Sequence, residues 1–98
     1  MHVILPAFRH FRKGTLMAYG CVFVCTWAPI GSPYYAGDIV VFPCNTPCQD
    51  FTMPDGTEMA AVSDECMDWP PDDGQSLSFE TIDAPDKGVI HRAKGIQK

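Results

Sequence analysis

Five cysteines, Cys21, Cys25, Cys44, Cys48 and Cys66, are the residues of this 98-residue chain best equipped for chemistry. Three residues separate Cys21 from Cys25 and Cys44 from Cys48, a spacing inside the roughly two-to-four-residue range of structural zinc sites. A four-thiolate zinc site built from these two pairs is therefore one expectation. It conflicts with the local pattern, because Tyr19, Cys21, Phe23 and Cys25 alternate with Ala18, Gly20, Val22 and Val24, and alternation predicts a strand. Two cysteines four positions apart on a strand share a face but lie ~13 Å apart. That is too far to ligate one ion or to bond to each other. The strand takes precedence and zinc becomes an alternative.

Disulfides are the remaining use for the thiols. Cys44-Asn45-Thr46-Pro47-Cys48 closes on itself if the proline turn brings its two α-carbons within ~7 Å, and Cys66 is placed to reach a strand cysteine. Five is an odd number, so at most two bridges form within the chain. The remaining thiol is either a small buried hydrophobe, a role suited to Cys21 or Cys25, or a link between two subunits.

Other catalytic chemistries find no footing. His2, His10 and His91 are scattered among basic residues with no nucleophile beside them, and Ser32, Ser63, Ser76 and Ser78 lack a nucleophile-elbow context. Asp64, Glu65, Asp68, Asp72 and Asp73 form an acidic loop without the alternating ligands and closing Glu of a calcium hand, so solvated charge is the expectation. No acid, base and nucleophile set can be named. The chain is not expected to be an enzyme or to carry a cofactor.

Charge is segregated in blocks. All twelve carboxylates fall between Asp38 and Asp86, and all seven Lys and Arg lie outside the acidic stretch, in two terminal arms or beside it at Lys87. The net charge of −5 argues against nucleic acid, whose phosphates need a basic face. Complementary blocks suit contacts between protein subunits, where they fix register and suppress wrong partners. Phe8, Arg9, Phe11, Arg12 and Lys13 in the first arm, Arg92 and Lys94 in the last, and the two tryptophans, Trp27 and Trp69, are the interface candidates. The apolar run from Leu16 to Ala28 follows basic residues much as in a secretory signal, but its glycines and poor cleavage pattern predict that it is retained. Pro29, Gly31 and Pro33 stop the run short of the ~20 residues a membrane helix needs, so no membrane partner is expected.

These residues must be positioned by strands. After Thr15–Thr26, the run Ile39-Val40-Val41-Phe42 is the clearest second strand, Met59 to Val62 is a third, and Leu77, Phe79 and Ile82 mark a fourth. Pro43, Pro47 and Pro54 predict an ordered loop, Trp69 to Gly74 another, and Val89-Ile90 a short apolar patch before a polar tail. The expected fold is mainly β: one small single-domain sandwich or barrel of four or five short strands. The expected divisions are a basic N-terminal arm over 1–14, a β-rich core with acidic loops over 15–86, and a basic C-terminal tail over 87–98.

One local pattern has a counterpart. Trp27 followed by Tyr34-Tyr35-Ala36-Gly37-Asp38-Ile39-Val40 resembles the Trp and Tyr-x-x-Gly-Asp-x-Val of small chitin-binding modules, with Trp69 standing for their later tryptophan. That resemblance implies exposed aromatics stacking on sugar rings. In texture, with basic arms, an acidic body and a small β core, the chain resembles the decoration or cement proteins of tailed bacteriophage particles. That likeness implies a virion or extracellular structural subunit that clamps its neighbours through arms and disulfides. Assembly is the leading expectation; carbohydrate binding and a zinc-stabilised interaction module are the alternatives.

Overall fold

A computed structural model describes residues 7–11, 15–70, 79–84, 86 and 88–95. The described chain is mainly β. Eight strands run in order: β1 (Ala7–Phe11), β2 (Thr15–Trp27), β3 (Ile39–Phe42), β4 (Phe51–Thr52), β5 (Glu58–Ala61), β6 (Met67–Trp69), β7 (Phe79–Asp83) and β8 (Val89–Ala93). They join one sheet in the order β4-β5-β2-β3-β8-β7, with β1 and β6 added on β2. Every pairing is antiparallel.

The 13-residue β2 is the spine of this arrangement. Its first half pairs with β1, from Thr15↔Phe11 to Tyr19↔Ala7, and with β6, from Ala18↔Trp69 to Gly20↔Met67. Its second half pairs with β3 through Cys21↔Phe42 to Val24↔Ile39, and with β5 through Phe23↔Ala61 to Trp27↔Glu58. The changeover falls at Gly20. A Cβ built there would lie 2.1 Å from the Phe42 carbonyl oxygen and 2.9 Å from a Val41 methyl, so only glycine admits the end of β3 so close to β2.

The alternation that predicted a strand apolar on both faces is realised as burial on both faces. One face contributes Cys21, Phe23 and Cys25 to the main core with Tyr34, Val40, Phe42, Met59 and Ile90. The other puts Ala18 and Val22 with Val41, flanked by Ile39, Met67 and Trp69. Phe23, Phe42 and Phe51 meet edge to face, with centroids 5.6, 5.2 and 6.1 Å apart, and each fully buried ring contributes on the order of 3 kcal/mol by leaving water.

Within the basic N-terminal arm, residues 7–11 form β1 and pair with β2 of their own chain. The tail after Gly88 is not an appendage, because β8 lies between β3 and β7 inside the sheet. The strand count is accordingly higher than the four or five expected. Leu77 and most of the Trp69 to Gly74 loop fall outside the described residues.

Candidate functional site

The cysteines gather at the end of β3, but not in the pairs that spacing suggested. Cys21 on β2 bonds to Cys48, and Cys44 bonds to Cys66. The Cys44–Cys48 loop does not close on itself: its turn, held by Thr46 N–H donating to the Pro43 carbonyl at 2.9 Å, directs the two sulphurs to different partners. Cys66 reaches a loop cysteine rather than a strand cysteine. The three residues by which the β5–β6 line slips against β2 between Val62 and Met67 form the bend that carries it. Cys21 therefore leaves the role of a buried thiol to Cys25, which is buried among the core residues and outside both bridges. Its Sγ lies 3.5 Å from the Trp27 carbonyl oxygen. With the three loop cysteines bridged within the chain and Cys25 buried, the expected covalent staple between subunits has no thiol to use.

The sulphurs form one cluster. Cys21, Cys48 and Cys66 Sγ atoms lie within 4.8 Å of one another, and Cys21 Sγ is 3.9 Å from Cys66 Sγ. The Thr46 carbonyl oxygen sits 3.1 Å from Cys21 Sγ and 3.8 Å from Cys48 Sγ. The expected zinc pair Cys21 and Cys25 does not converge, as strand spacing required. Among the described residues no carboxylates of the acidic loop gather as ligands; Asp72 and Asp73 lie outside them.

A second constellation was not anticipated. Asp38 is 2% exposed, held at the entry to β3 by the positive-φ turn at Gly37. Its Oδ2 accepts from Tyr35 N–H at 2.8 Å, and Arg92 donates to it through Nε to Oδ1 at 3.0 Å and through a terminal nitrogen to Oδ2 at 2.8 Å. The same guanidinium donates to the Pro33 carbonyl at 3.0 Å and covers the Tyr35 ring at 3.6 Å. Its hydrogen bonds to Asp38 raise its already high pKa further. Arg92 is thus committed within its own chain, and its place among the interface candidates is withdrawn. Tyr34 is 1% exposed; burial, then its hydrogen bond to Asp86, pushes its hydroxyl pKa up. His91, for which the sequence offered no nucleophile partner, belongs to the core: it is 3% exposed, and its Nε2 has no hydrogen-bond partner among the described residues.

The other interface candidates divide. Trp27 is 51% exposed, its ring reaching the Gly56 turn, and Lys94 is exposed. Trp69 is half-buried, edge-on to Phe79 at 6.2 Å, and belongs to the second core. Phe8, Arg9 and Phe11 lie on β1 by backbone; Arg12 and Lys13 fall outside the described residues.

β1 and β7 each pair on one side only among the described strands. Both are five residues long. β1 carries Arg9 and His10 and no carboxylate, whereas β7 carries Glu80 and Asp83 and no Lys or Arg. The two-residue β4 and the three-residue β6 also pair on one side only, but β1 and β7 are the open edges of matched length and opposite charge, which suits them to joining chains. Comparison with models of known protein families, with curated proteins and with solved structures finds no match.

Proposed function

We propose that this chain is a non-enzymatic structural subunit that assembles with its neighbours by adding strand to strand, the basic β1 edge of one copy meeting the acidic β7 edge of the next. The observation that carries this reading is the opposite charge of the two open five-residue edges. Backbone hydrogen bonds across such a junction give affinity, and the charges set which edge meets which. The contact is head to tail, so it propagates into a ring or filament rather than ending at a pair. A particle surface where subunits clamp their neighbours, as the likeness in texture to decoration proteins implies, is the setting it suits. Two disulfides in a chain of this size fit an oxidising environment. Of the aromatics the sugar-binding alternative would use, Tyr34 is buried, Tyr35 lies under Arg92 and Trp69 is packed on Phe79, while Trp27 is exposed, so the assembly reading is preferred.

Sedimentation velocity of the purified chain tests this reading. Oligomers are expected that shrink as salt rises from about 50 mM to about 500 mM. Glu80→Lys with Asp83→Lys should abolish them, and adding Arg9→Glu to that variant should restore them in part. A monomer under all conditions, or assembly unchanged by deleting residues 1–14, refutes it.

A further inference from the structure

The assembly reading makes no use of the sulphur cluster beyond its two bridges, and the cluster's geometry has a second use. Zinc held by four thiolates at ~2.3 Å in a tetrahedron sets neighbouring sulphurs ~3.8 Å apart. Cys21 and Cys66, which are not bonded to each other, are already 3.9 Å apart, Cys48 Sγ lies within 4.8 Å of both, and Cys44 is brought to the same place by its bond to Cys66. The backbone frame is compact as well, with α-carbons 5.4 Å apart for Cys21 and Cys48 and 5.9 Å for Cys44 and Cys66. Opening a bridge from ~2.05 Å to ~3.8 Å between sulphurs is within reach of side-chain rotation on such a frame. Cys44 and Cys48, with three residues between them in a proline turn, form the knuckle, and Cys21 and Cys66 arrive from β2 and from the bend before β6.

We propose that reduction converts the two bridges into a tetrathiolate zinc site formed by Cys21, Cys44, Cys48 and Cys66, giving the domain a bridged form and a metal form on one backbone. The ligand set differs from the spacing-based one by Cys66 in place of Cys25. Each bridge takes two electrons and two protons from a dithiol reductant, which becomes a cyclic disulfide, and yields two thiols. Zinc(II) then displaces four protons, forms four zinc–sulphur bonds and leaves a site of net charge −2. The inference stands independently of the assembly reading.

The test uses the full chain, reduced with a dithiol without oxygen, loaded with zinc(II) and passed through gel filtration before metal analysis. One zinc per chain is expected from the reduced protein and none from the oxidised one. Cobalt(II) in place of zinc should give the visible bands of a tetrahedral thiolate complex. Cys25→Ser should keep the full stoichiometry, while Cys44→Ser and Cys66→Ser should each weaken binding at least tenfold. Far-UV circular dichroism identifies any variant that has not folded. Failure of the folded, reduced chain to retain zinc, or loss of zinc from Cys25→Ser but not from folded Cys66→Ser, overturns the proposal.

Discussion

His91 makes the fold acid-sensitive in a way that can be isolated from every carboxylate. It sits in the middle of β8, opposite Ile39 on one side and Thr81 on the other, and burial lowers its pKa from 6.5 to about 4. The neutral ring is therefore the form the folded chain accepts. Its contribution is fully present above pH 6.5 and is lost as pH falls, because the unfolded chain takes up a proton that the folded chain refuses until about pH 4. At ~1.36 kcal/mol per pH unit, the gap is worth about 3 kcal/mol, of which about 2.5 is lost by pH 4.5. Against a total of roughly 5–15 kcal/mol for a small domain, that is decisive. Urea unfolding of the wild type and of His91→Gln should be followed from pH 7.5 to pH 4.5. Subtracting the two curves cancels the carboxylates, and the difference should stay flat above pH 7 and then move by about 2.5 kcal/mol against the wild type. A difference that stays constant to within about 0.5 kcal/mol across the range would show that His91 titrates as in water, and the burial argument would fail.

Three further outcomes follow from the same packing. Arg92→Ala leaves Asp38, 2% exposed, without its guanidinium, and should cost about 3–5 kcal/mol in chemical denaturation; a loss below about 1 kcal/mol would mean the pair behaves as a surface ion pair. Gly20→Ala places a Cβ 2.1 Å from the Phe42 carbonyl oxygen, so a loss of about 3 kcal/mol or more is expected, read as a fall in melting temperature; an unchanged melt would contradict the close approach of β3. Replacing both Cys21 and Cys48 by Ala removes a bridge across 27 positions, for which chain entropy gives about 3.5 kcal/mol, and equilibrium unfolding under oxidising conditions should register most of it.

The parts of this fold legible in the sequence are those whose signal is local. β2 and β3 follow from β-branched and aromatic runs and β5 from the apolar run Met59 to Val62, and the Cys21–Cys25 alternation correctly ruled against joining those two sulphurs. β8 was hidden because the buried His91 and the partly buried Arg92 interrupt its apolar pattern after Val89 and Ile90. Arg92 finds its carboxylate in Asp38, 54 positions earlier, a pairing no window of sequence contains. The disulfide pattern was illegible for a similar reason: spacing favoured Cys44 with Cys48, but the slipped β5–β6 line brings Cys66 to Cys44. Asp38 entered the sequence reading only as the Asp of a Gly-Asp step before β3, and its burial depends on a partner from the far end of the chain. The open edges were foreshadowed by the charge blocks, although sequence assigned the basic charges to arms and the acidic ones to loops of the core.

The shared strand β2 also sets a hazard during synthesis. Both its faces are apolar, yet β3, β5 and β6 complete its pairing only when the chain has been made as far as Trp69. At ~5–20 residues per second on a ribosome, the stretch from Trp27 to Trp69 takes seconds to make, and for that time the half of β2 that β1 does not pair stays an open apolar strand.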